Sequence, residues 1–224
     1  MQNPNNKNVL FIIIAILFIS INSISAQKTF EGKVKIKITS KDKIITMDYF
    51  VKGKNLKMEI GNGEKTGSFI MKGNKYLVLM PAQKMYMEID SKILENLPGM
   101  RIKAKNNNNS KNFNINKFKT GKTKKILGYN CEQWIINDNS GQVEAWVTNE
   151  LGNFMTMDSP TGGGYSPVWS SYLKDNGFFP MVVISSNKNG KSSKFEVVDV
   201  NKMSLSNSEF APPSNYKKMN IPGM

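Results

Sequence analysis

The chain predicts a mainly β fold, an antiparallel curved sheet covered by one or two short helices, and three observations carry that prediction. Apolar and polar residues alternate with period two from Phe30 onward. Turns built on Gly and Asn recur at short intervals, as at Gly53-Lys54-Asn55, Gly61-Asn62-Gly63 and Gly73-Asn74. Helical patterning is confined to two short stretches, Ser91 to Leu97 and Pro167 to Lys174.

Taken in order, Val34, Ile36 and Ile38 point one way and Lys33, Lys35 and Lys37 the other, which describes a half-buried antiparallel strand. Further strands are expected at about 44–52, 56–60, 68–72, 75–80 and 84–89, the last two divided by Pro81-Ala82-Gln83, so that the first six form a meander. Ser91 caps a short helix that Pro98-Gly99 ends. Residues 103–112, with Asn106 to Asn109 among lysines, are too polar to bury anything and read as a mobile insertion. Strand character resumes over 115–125. After the break at Asn149 to Gly152, the run Gly162-Gly163-Gly164 lacks the lysine and hydroxyl residue of a phosphate loop and reads as a hinge. Residues 180–187 and 191–203 make a late hairpin, and an irregular tail from Ser206 is anchored by Phe210 and Tyr216.

The centre of this plan is a hairpin from Gly128 to Thr148. A three-residue loop with Gly141 left-handed would close on residues 138 and 142. That register sets Trp134 opposite Trp146, a cross-strand aromatic pair on the face that also carries Ile136.

At the N-terminus Lys7 precedes an apolar run from Val9 to Ile21, interrupted only by Ser20, and Ser23-Ile24-Ser25-Ala26 supplies small residues for cleavage. This pattern predicts a signal peptide over residues 1–26 and a single domain over 27–224, exported to the periplasm or the cell exterior. The run is shorter than the roughly 20 residues a spanning helix needs, so no transmembrane segment is expected after cleavage. No cysteine lies at the cleavage point for lipid attachment. The formal net charge of +14 falls to +13 without Lys7. Export and the spread of lysines along strands argue against nucleic acid; the charge suits an anionic envelope surface, or reflects a coding bias toward Lys, Asn and Ile.

The chain has no histidine and one cysteine, Cys131. No Ser-His-Asp or Cys-His nucleophile and no His-based zinc site can form, and no intrachain disulfide is available. The 17 acidic residues sit singly among lysines, so no enzyme activity, cofactor or metal is expected. Cys131 reads as a small buried hydrophobe. Fourteen methionines are the other anomaly. Methionine suits surfaces that accept variable apolar shapes, and the candidate lining of a lipid cavity is Met47, Met58, Met71, Met85, Met87, Trp134, Trp146, Trp169 and Phe178, with 165–179 as its cover.

Several stretches together carry a resemblance: Phe30 to Val34, Val51 to Glu59, Leu79 to Glu88, Thr120-Gly121-Lys122, Ile126 to Glu132 and Glu144 to Thr148. They resemble the secreted bacterial proteins of domain of unknown function 4412, a family similar in architecture to LolA- and LolB-type lipoprotein carriers. The resemblance implies an incomplete, LolA-like barrel around an apolar cavity closed by helices, and no catalytic residue. Two readings follow. One is an envelope protein that binds a lipid, an acyl chain or a lipidated partner in the half barrel. The other is a non-catalytic structural or protein-interaction module whose barrel is a filled core.

Overall fold

A computed structural model describes residues 30–41, 43–61, 67–90, 114–138, 141–152, 154, 169–173 and 176–219. The expected signal peptide over 1–26, the helix expected from Ser91, the 103–112 insertion and the glycine run at 162–164 lie outside the described residues.

The meander is β1 (Glu31–Ser40), β2 (Lys43–Lys52), β3 (Asn55–Ile60), β4 (Gly67–Lys72), β5 (Lys75–Met80) and β6 (Met85–Asp90). A 3-10 turn at Ile115–Phe118 leads into β7 (Lys119–Ile126), β8 (Tyr129–Asp138) and β9 (Gly141–Thr148). After helix α1 (Ser170–Leu173) come β10 (Phe179–Asn187), β11 (Ser192–Lys202), a 3-10 turn at Asn207–Phe210 and β12 (Lys217–Lys218). The described strands form one sheet in the order β12-β6-β5-β4-β3-β2-β1-β11-β10-β9-β8-β7. It is curved and not closed. Each of these pairings is antiparallel except that of β12 with β6. The alternation read from the sequence sets this register, because a slip of one residue would turn each apolar row to solvent.

The hairpin register differs from the expected one. Asp138 pairs with Gly141, so Trp134 stands opposite Ala145 and Trp146 opposite Gln133. The two tryptophans therefore lie on opposite faces of the sheet, and Val143, Ala145 and Val147 join Trp134. The cause is the neighbouring strand. A Cβ at position 141 would collide with the carbonyl oxygen of Ser186 on β10, so the glycine is a ladder residue that permits close approach rather than a turn residue.

The inner face buries the main core. Val34, Ile36, Tyr49 and Leu56 of the meander meet Trp134, Ala145, Val183 and Phe195 of the second half, all buried. The outer face of the meander carries a second, smaller core. Ile70, Leu77 and Leu79 lie there under Leu205 and Phe210 of the C-terminal segment, with Phe50, Tyr86 and Tyr216 around them.

The tail is fastened by polar contacts as well. The Glu31 carboxylate accepts the Leu205 N–H at 2.7 Å, Lys52 Nζ donates to the Leu205 carbonyl, and Lys57 bridges Glu59 at 2.7 Å and Glu209 at 3.3 Å. β12 then pairs with β6 through Lys217↔Met85 and Lys218↔Tyr86. At the other edge β7 is exposed along nearly its whole length, interrupted by a register shift between Lys119 and Thr123, and carries Lys119, Lys122, Lys124 and Lys125. Lysines and an irregular ladder discourage strand addition there.

Candidate functional site

Register places the methionines of the meander on one face. One inner row runs Val34, Tyr49, Met58, Phe69, Val78, Met87. The adjacent row runs Ile36, Met47, Ile60, Gly67, with the Met80–Met85 pair two residues along from Val78 and Met87 on the same face, and the row on the other side runs Gly32, Val51, Leu56, Met71, Tyr76, Ile89. Met47, Met58, Met71, Met85 and Met87 thus share the inner face, and Met80 joins them.

Burial grades across this face. Met47 is buried in the main core, Met58 and Met71 are half-buried against it with Phe69 and Tyr76, and Val78, Met80, Met85 and Met87 are half-buried toward the β6 edge. Strands that alternate so that the apolar face stays half-buried leave an apolar surface of adaptable side chains.

The half of the inner face built by β1, β2, β10 and β11 is filled. Phe154 stacks on Tyr49 at 5.7 Å and on Trp169 at 6.0 Å, and meets Phe179 and Phe195 edge-on at 5.2 and 5.8 Å. Trp169, expected on a covering helix, is buried at the start of α1, its ring 5.3 Å from that of Phe195. It is a plug in the core. Leu173 is buried one turn later, and Phe178 lies 4.9 Å from Trp134.

Trp134 sits fully buried on the inner face, its indole N–H donating to Glu132 Oε1 at 2.9 Å. Lys119 pairs with the same carboxylate at 3.1 Å and lies 5.4 Å above the Phe178 ring. Trp146 points to the other side of the β8–β9 pair from Trp134, yet it too is buried and belongs to the main core cluster. Its indole N–H donates to Glu144 at 2.9 Å, Gln133 donates to the same oxygen at 2.8 Å, and Lys124 Nζ covers the ring at 3.9 Å. Those hydrogen bonds from Gln133 and Trp146 hold the Glu144 carboxyl below its usual range. Cys131 is buried, and burial raises its thiol pKa, the opposite of activation.

Among the described residues no three His, Cys, Asp or Glu side chains gather where a metal ion would sit. Nor is any helix among them long and apolar enough to cross a membrane.

The second core under the tail is absent from the alternation argument, yet it had a signal. Beyond Lys75, β5 reads Tyr-Leu-Val-Leu-Met without a charged residue, and such a run marks a strand covered on both faces.

No curated protein matches the chain. A chain of the MucA/MucB complex from Pseudomonas aeruginosa shares the fold with a TM-score of 0.50 at 7% identity, over 88% of this chain and 60% of that one. An uncharacterized conserved protein from Thermus thermophilus superposes with a TM-score of 0.49 at 5% identity, over 88% and 93% of the two chains. A LolA superfamily protein from Nitrosomonas europaea gives a TM-score of 0.33 at 15% identity, over 83% and 91%. At 7% identity the likeness to the MucA/MucB chain is one of fold alone. Residues 30–216 match the family described as Domain of unknown function (DUF4412), and the chain belongs to it.

Proposed function

We propose that this is an exported, non-catalytic envelope protein that holds an apolar chain, either a lipid or the acyl group of a lipidated partner, against the methionine-lined inner face of β3 to β6. The observation that carries the reading is the shared face of Met47, Met58, Met71, Met80, Met85 and Met87, half-buried from Met58 outward. Burial of an acyl chain contributes about 0.8 kcal/mol per CH₂, so ten methylenes offset much of an association cost without a specific polar contact. Export is supported by the leader-like run from Val9 to Ile21. The lysines exposed along β7 suit an anionic envelope surface.

A second reading has its own observation. The aromatic plug of Phe154, Trp169 and Phe179 fills the centre of the inner face, as a module that binds protein partners through its surface would require. The fold shared with a chain of the MucA/MucB complex supports a protein partner to the same extent.

Native mass spectrometry of the protein purified from its own envelope distinguishes the two. A co-purifying lipid mass, lost on delipidation, is the outcome expected of the first. A bare polypeptide mass beginning at Gln27 favours the second. Retention of residues 1–26 would overturn the export assignment for both.

A further inference from the structure

We propose that Met80, Met85 and Met87 form a thioether site for a soft monovalent cation, Cu(I) or its redox-inert analogue Ag(I). This goes beyond the apolar-chain reading and does not depend on it.

The geometry comes from the end of one hairpin. Met80 and Met85 are directly opposed across β5 and β6, and Met87 lies two residues farther along β6 on the same inner face. Opposed residues in an antiparallel pair have Cα atoms about 4.5–5.5 Å apart, and a two-residue step along a strand is about 7 Å. Methionine is unbranched and two side-chain torsions place its sulfur, which gives the three thioethers at this spacing the freedom to turn toward one ion. The hairpin that holds them is tight. Pro81–Gln83 forms a 3-10 turn, Lys84 is left-handed at φ 50°, and its N–H bonds back to the Pro81 carbonyl at 3.1 Å.

The donor set decides the ion. Three neutral thioethers are soft ligands and add no charge, which favours Cu(I) and Ag(I) over Zn(II) or Cu(II). Glu88, the nearest acid along β6, pairs with Leu77 and lies on the outer face, where it holds Lys75 at 2.9 Å and Lys218 at 3.5 Å. It supplies no hard oxygen to the inner side. Histidine is absent from the chain. Cys131 is buried on the other half of the sheet with its thiol pKa raised.

Packing alone does not ask for this choice. Leucine has nearly the same volume, and the chain uses it at Leu77 and Leu79 on the opposite side of the same strand, where burial is deeper. The three methionines are instead half-buried, on the last long strands before the sheet edge.

The test titrates the full exported chain with Ag(I), read by native mass spectrometry and calorimetry, and with Cu(I) under anaerobic competition against a chromogenic chelator. Wild type is expected to take one ion per chain, undisplaced by excess Zn(II). Met85→Leu and Met87→Leu should each weaken binding at least about tenfold, and the triple Leu variant should abolish it. Met203→Leu, at an exposed methionine outside the face, should leave it unchanged. Circular dichroism verifies the fold of each. No stoichiometric uptake by wild type, uptake by the triple variant at wild-type affinity, or displacement by Zn(II) would overturn the site. Met58→Lys leaves the three thioethers in place, so it should keep Ag(I) uptake while losing any acyl-chain binding, and failure of one proposal is separable from failure of the other.

Discussion

Trp134 faces Ala145 across the β8–β9 ladder and meets Phe178 at 4.9 Å with the rings 67° apart. The small partner opposite leaves room for the indole to lie under the segment that follows α1. Trp134→Ala should therefore cost about 3–5 kcal/mol, the range for deleting a fully buried aromatic ring. Trp146→Ala, on the outer face beneath Lys124, should cost less. Urea unfolding followed by circular dichroism measures both, and a larger loss at Trp146 would refute the face assignment.

Gly141 is a ladder residue pressed against β10. Gly141→Ala drives a Cβ into the backbone oxygen of Ser186 at φ +152°, and should destabilise by at least about 1–3 kcal/mol or shift the hairpin. Gly67, with open space around its Cα, is the control, and Gly67→Ala should be neutral or mildly stabilising. Thermal melts of the two variants make the comparison.

The C-terminal segment seals the outer face of the strands that carry the methionines. Phe210→Ala should cost about 3–5 kcal/mol, because the ring is fully buried against Ile70, Leu77 and Leu79. Lys57→Ala should cost about 1 kcal/mol, since its two ion pairs are partly solvated. Denaturant midpoints report both, and dye binding should rise for Phe210→Ala alone.

Acid should loosen the same tail. Glu31 is held below the ordinary carboxylate range first by the Leu205 N–H, Glu88 by the Lys75 hydrogen bond, and Glu144 by Gln133. A depressed folded-state pKa contributes stability that is present above the unfolded value and lost as pH falls through the folded one. Melting temperature should hold from neutral pH down to the ordinary carboxylate range and fall below it. Glu31→Gln should show a smaller fall, since it no longer has that proton to take up. An equal fall in wild type and variant would count against the Glu31 clasp.

How much of this was legible before the fold was known follows from the residues. The meander was legible because Val34-Ile36-Ile38 and their partners alternate strictly, and its turns carry Gly and Asn. The shared face of the methionines followed from the same alternation. The β8–β9 register was not, because Asp138-Asn139-Ser140-Gly141 accommodates a two- or a three-residue loop, and the choice is made by Ser186 on a strand 45 residues further on. Trp169 belonged to a short helix from its local pattern, but its burial depends on Phe154 and Phe195, which only the fold brings near. The tail's place on the outer face was likewise set by long-range partners, Glu31 and Lys57, although Phe210 and Tyr216 marked it as anchored.

Titration of a fluorescent fatty acid asks whether the inner face beyond the aromatic plug receives an apolar chain. Wild type should bind saturably, with affinity rising with chain length. Met58→Lys, placing a charge on the half-buried inner face, should abolish binding while circular dichroism stays native. No saturable binding by folded wild type, or unfolding of Met58→Lys in place of selective loss of binding, would exclude an apolar-chain site and leave a filled structural module.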